Sequence, residues 1–280
     1  MPRRPARTPS RPRPLARPNP PANPPLLAVA RSIASALALG LALALAAPSP
    51  TGAAAPDPTR NGAPAMSVPA AAPLLLDYFD AYLRDQDIES FRLNVTARYT
   101  EGTLARLARA PSSRARRAAI LALGLVGSIE ANAAVARALR DEDATVRDLA
   151  NNALWAIWFR ADSPANNATL EEVHDLNNRG RHAEADALAT RLIGRAPGFA
   201  EAYNQRAIAR FFRGRFADSA ADCRRTLERN PYHIGALAGL GQCYLRLDRR
   251  DEALATFRRA LKLQPFSDGL KETVAALEGK

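Results

Sequence analysis

The sequence predicts an all-α fold, an α-solenoid of stacked helix pairs, on three observations. Pro197, Pro231 and Pro265 recur with a period of 34. LARLAR at 104–109 recurs as VARALR at 135–140, an offset of 31. From Leu74 onward helix formers dominate, with neither strand-like alternation nor a hairpin dipeptide. A fixed period of this length describes a helix–turn–helix unit that hides its apolar face only by stacking on the next one.

Composition divides the 280-residue chain before the repeats begin. Residues 1–55 hold seven arginines and no Asp, Glu or Lys, and 17 of the 22 prolines lie at or before Pro73. The other 32 basic and 28 acidic residues leave residues 56–280 at +4, against +11 for the whole chain. The basic balance therefore belongs to a leader and gives no support for nucleic acid as a partner. Residues 1–25 are too polar to fold alone. Leu26–Ala47 is apolar except for Arg31, and its uncharged part, Ser32–Ala47, has 16 residues, short of the roughly 20 that span a membrane. The expectation is an export signal followed by small residues at 51–54, placing the protein in the periplasm or elsewhere outside the cytoplasm. The alternative is an uncleaved membrane tether formed by residues 26–47. Residues 56–73 read as an Ala/Pro-rich linker.

The folded part begins with a helical cap at 74–101, where Leu76, Tyr78, Phe79, Tyr82 and Leu83 keep helical spacing. Next come two units related by the shorter offset, ARRAAILAL from Ala115 matching VRDLANNAL from Val146, with Ser113 and Thr145 as the expected N-caps. Arg117-Ala118-Ala119, Leu123-Gly124 and Gly127, followed by LRDEDATVRDLANNAL, resemble short bacterial HEAT repeats over about 102–160. Such repeats also occur in phycobilin lyases, but no catalytic motif accompanies them here.

Three further units occupy 161–280 together with a C-terminal capping helix at Lys271–Leu277. GRHAEADA, GRFADSAA and DRRDEALA align without gaps from positions 180, 214 and 248. These residues resemble the tetratricopeptide repeat over about 166–267. The third unit carries Leu240, Gly241, Tyr244, Ala253, Phe257, Ala260 and Pro265 at the signature positions. The second keeps Tyr203, Ala207, Gly214 and Pro231, with Ser219, Cys223 and Thr226 where the family prefers Ala, Phe and Ala. The first keeps Gly180, Ala185 and Pro197.

Chemistry is sparse. The sequence has no phosphate loop, no G-x-S-x-G elbow and no H-E-x-x-H, and its three histidines are scattered. The expectation is a protein without enzymatic activity, cofactor or metal. Cys223 and Cys243 fall on neighbouring helices, as two buried thiols or as a disulfide. Trp155 and Trp158 fill the junction between the two repeat systems, or line a small-ligand site with His174 in a lyase-like protein. The arginine-rich stretches of the second helices read as a solvated convex face.

The resemblance implies a concave groove lined by the first helix of each unit, here His174, Asn177 and Asn178, then Asn204, Gln205, Ile208 and Phe212, then Gln242 and Arg246. Amides suit an extended peptide because each offers both donors and an acceptor. The Lys/Asn set with which chaperone-binding members grip a C-terminal carboxylate is not matched. The implied function is a protein–protein interaction scaffold with a protein or peptide partner, and the leader makes it exported or membrane-tethered.

Overall fold

A computed structural model describes residues 74–279 of the chain; the leader, the tether and the linker expected before Leu74 lie outside the described residues. Among the described residues there are thirteen α-helices and no strand. They are α1 (Leu74–Asp85), α2 (Ile88–Arg98), α3 (Glu101–Leu107), α4 (Ser113–Val126), α5 (Asn132–Ala138) and α6 (Ala144–Phe159). Then follow α7 (Pro164–Asn178), α8 (His182–Arg195), α9 (Ala200–Phe212), α10 (Phe216–Arg229), α11 (Ile234–Arg246), α12 (Arg250–Leu263) and α13 (Asp268–Glu278). None of them is long and apolar enough to cross a membrane.

The shorter period holds in the helix bounds, since α3 and α5 are offset by 31 at both ends and α4 and α6 by 31 at their starts. It also holds in the bonding. Arg116 donates to the carbonyls of Ala110 and Pro111, and Arg147, its equivalent, to those of Asp141 and Glu142. Arg116 further forks onto Asp141 at 2.7 and 2.8 Å, bracing one unit on the next. The caps sit earlier than Ser113 and Thr145. Ser112 accepts from the Ala115 N–H and Asp143 from the Val146 N–H, because these two residues have the extended backbone that turns a side chain back onto the first helical turn.

From α8 to α12 the longer period is strict. Each of Pro197, Pro231 and Pro265 stands at the second position beyond the end of its helix, α8, α10 or α12. Proline offers no N–H and clashes with the preceding turn, so each helix ends there. The turn inside each pair is equally regular. Gly180 and Gly214 both have φ of +74° and Asp248 has +57°. The N–H that follows then reaches back across the turn, from Arg181 to Leu176, Arg215 to Arg210 and Arg249 to Tyr244. Helix crossings depend on small residues. A Cβ on Gly241 would lie 2.5 Å from the Phe257 ring, and Ala253 is wholly buried.

The three units form two layers: α7, α9 and α11 pack on one another in series as the inner layer, and α8, α10 and α12 lie outside them. Two buried carboxylates clamp the layers. Asp222 takes Arg206 and Arg210, and Asp186 takes Arg210, Arg213 and Arg215. Where α10 departs from the family pattern, its polar side chains bond across the layers: Ser219 donates to the Ala207 carbonyl at 2.7 Å and Thr226 to that of Ala200 at 3.4 Å. Cys223 and Cys243 are separate buried thiols on α10 and α11. The neighbouring Cys243 and burial push the pKa of the Cys223 thiol up, and the Cys243 sulfur bonds Ser219 at 3.2 Å.

A side chain at positive φ costs about 1–2 kcal/mol unless it is Gly, Asn or Asp. Asp248→Ala should therefore lower the unfolding free energy by about 1 kcal/mol in a denaturant titration, while Asp248→Gly, restoring the residue of the other two turns, should not lower it.

Candidate functional site

The amide-bearing side chains expected to line a groove converge on one carboxylate. Glu201, in the first turn of α9, is buried, and its Oε1 accepts from Asn204 Nδ2 at 2.9 Å and Gln205 Nε2 at 2.8 Å. Its Oε2 accepts from His233 Nε2 at 2.6 Å. His233 caps α11, accepting the Ala236 N–H on Nδ1 at 3.0 Å, so the ring carries its proton on Nε2. Asn177 on α7 donates to the carbonyl and side-chain oxygen of Gln205 at 2.9 and 3.1 Å. Asn177, Asn204 and Gln205 are thus buried and spoken for, and offer no free face to a peptide. This corrects their expected placement: Glu201 takes the amides of Asn204 and Gln205, and Gln205 takes that of Asn177.

Helix α6 packs on the inner layer, meeting the start of α11 and the later half of α7. Phe159 meets His174 of α7 edge-on, with centroids 5.2 Å apart. Trp158 stacks on His233 at 4.1 Å, and Trp155 meets it edge-on at 5.4 Å. A Cβ on Gly235 would lie 2.6 Å from the Trp155 ring, so α11 admits this indole only because residue 235 lacks a side chain. At its other end α6 places Arg147 over the Phe266 ring, 4.2 Å from its centroid. A polar chain seals the contact: Trp158 Nε1 donates to Asn132 at 2.9 Å, and Asn132 Nδ2 donates to Asn230 at 2.7 Å. Trp155 and Trp158 are therefore buried at the junction, and His174 packs against Phe159 instead of facing them.

The other half of the inner layer is open. Asn178, Phe212 and Arg246 are exposed at the C-terminal ends of α7, α9 and α11, with Ile208 and Gln242 half-buried beside them. Phe212 is a large aromatic with 39% of its surface in water. The His182 ring stacks on it at 4.8 Å, and burial lowers the pKa of that imidazole, favouring the neutral ring. Arg246 lies over Phe216 at 4.4 Å and Phe211 at 6.0 Å and is free of carboxylates. Among the described residues no three His, Cys, Asp or Glu side chains gather as metal ligands would.

Sequence reasoning missed Glu201, His233, Gly235, Asn132 and Asn230. Residues 167, 201 and 235 occupy one repeat position but are Asn, Glu and Gly, so periodicity carries no mark of their shared role.

Comparison with known proteins bears on the second half of the chain. The family model for the tetratricopeptide repeat matches residues 170–234 and 204–268, and these residues are tetratricopeptide repeats. Sperm-associated antigen 1 of Mus musculus is 31% identical over 99 residues, 35% of this chain and 11% of that protein. Its Rattus norvegicus counterpart is 32% identical over the same length. The chain thus spans about a tenth of these curated relatives. Among solved structures, the first tetratricopeptide domain of human RPAP3 is 21% identical, with 41% of this chain and 90% of that one covered and a TM-score of 0.39. The Sgt2 tetratricopeptide domain from Aspergillus fumigatus is 19% identical, with 42% and 80% covered and a TM-score of 0.40.

The close fit of Trp155 on Gly235 makes a sharp prediction. Gly235→Ala should cost about 1–3 kcal/mol by overpacking and shift the tryptophan emission, measured by fluorescence-monitored unfolding.

Proposed function

We propose that the chain is a non-enzymatic interaction scaffold that takes a protein or peptide segment along the open half of its inner layer. The tetratricopeptide repeats at 170–268 support a scaffold in general. The observation that supports this strip in particular is Phe212, a large ring left in water in line with Ile208, Gln242 and Arg246. Exposed aromatic and arginine side chains are the residue types that anchor protein interfaces. Of the expected groove residues, Asn178, Ile208, Phe212, Gln242 and Arg246 remain in this reading. Asn177, Asn204 and Gln205 support the inner layer instead.

In the same reading the pairs α3–α4 and α5–α6 are short HEAT-like repeats, supported by the matching carbonyl bonds of Arg116 and Arg147. Their last helix closes one end of the trough, so a partner enters from the side of the α7–α8, α9–α10 and α11–α12 turns. The scaffold acts outside the cytoplasm, released or held at the membrane through residues 26–47.

The test is a photo-reactive amino acid placed at position 208 or 242 in the native host. Discrete adducts that fall at least tenfold when Phe212→Ala and Arg246→Ala are added are expected. Adducts that persist unchanged in the double variant would contradict the strip as the binding surface.

A further inference from the structure

The arginines of the outer layer fall into register. Arg191 of α8, Arg225 of α10 and Arg259 of α12 repeat with the same period as the prolines, at one position in three successive helices, and all three are exposed. Among the described residues none of them forms an ion pair. Arg259 reaches only the Pro231 carbonyl, at 3.4 Å, and Arg195, one turn beyond Arg191, only the Thr169 hydroxyl, at 3.2 Å. Lys262 adds a further exposed cation on α12. Residues 187–195 and 255–263 contain no acidic residue, and in 221–229 Asp222 is turned inward to Arg206 and Arg210, leaving Glu228 alone outside. The near-neutral total for residues 56–280 hides this stripe because its compensating acids lie in other places, in the layer clamps and helix starts.

The chemistry of the stripe narrows its occupant. Guanidinium forks pair with carboxylates and phosphates through two parallel hydrogen bonds. Single-stranded nucleic acid also needs rings on which bases stack, and a lipid surface is held more firmly where apolar side chains enter it. The large exposed apolar residues, Leu74, Leu93, Ile129, Phe212 and Phe266, all lie outside α8, α10 and α12. Carboxylates on a protein segment remain the best complement.

We propose that the outer face of α8, α10 and α12 is a second docking surface, one that takes an acidic protein segment across Arg191, Arg225 and Arg259. This surface is on the opposite layer from the Phe212 strip and stands or falls independently of it.

The test uses the full chain and a photo-reactive Glu/Asp-rich peptide, with adducts mapped by mass spectrometry and affinity read by anisotropy at two salt concentrations. Expected are adducts within 187–199, 221–230 and 255–264, affinity that falls with salt, and at least tenfold weaker binding in R191Q/R225Q/R259Q. Thermal midpoints of variant and parent should agree, and Phe212→Ala should leave the peptide affinity unchanged. Adducts confined to the arginine-rich residues 1–55, or equal affinity in the triple variant, would overturn the proposal. So would anionic phosphatidylserine vesicles or a single-stranded oligonucleotide that bind tighter than the peptide through the same three arginines.

Discussion

The carboxylate of Glu201 has almost no access to water, and a carboxylate in that position needs donors on both oxygens. Gln205 and Asn204 supply one oxygen from the same helix, and His233 supplies the other from the start of α11. Satisfying this one group fixes how α9 and α11 sit on each other, and through Asn177 it fixes α7 as well. Removing a single donor would leave a buried acceptor short of partners, which typically costs about 1–3 kcal/mol, more where the group is charged.

His233 then transmits the arrangement to the first half of the chain. A ring with its proton on Nε2 and its other nitrogen engaged by a backbone N–H has one fixed orientation, and its face meets Trp158. The junction between the two repeat systems is made by laying α6 over the inner layer, with indoles, a glycine and a buried amide chain as the joint. What α6 covers ceases to be a groove, and what it leaves open is the strip around Phe212. The inner and outer layers therefore differ in character: one presents an aromatic strip with a single free guanidinium, the other a ladder of arginines.

The repeats were readable from the sequence because each unit solves the same packing problem with the same residues. Proline after the second helix, a positive-φ residue in the turn and small residues at the crossing recur at fixed offsets. The joint was not readable, because Asn132 and Asn230 are far apart in the chain and belong to different periods. Asn204 and Gln205 show the limit most clearly. Their helical positions place them on the inner layer, but only the three-dimensional contacts show that the buried Glu201 takes up both amides. Arg191, Arg225 and Arg259 show the converse. Local arginine runs look like ordinary solvated surface, and their alignment becomes visible only once the three helices stand side by side.

The stack of Trp158 on His233 holds α6 on the inner layer. A double-mutant cycle tests it most directly, using Trp158→Leu and His233→Asn, the latter retaining a side chain able to cap α11. Equilibrium unfolding of the four proteins should give a coupling energy of about 1 kcal/mol or more, as expected for contacting aromatic rings. Effects that add to within about 0.3 kcal/mol would mean that the two rings do not act together, and would contradict the seating of α6 described above.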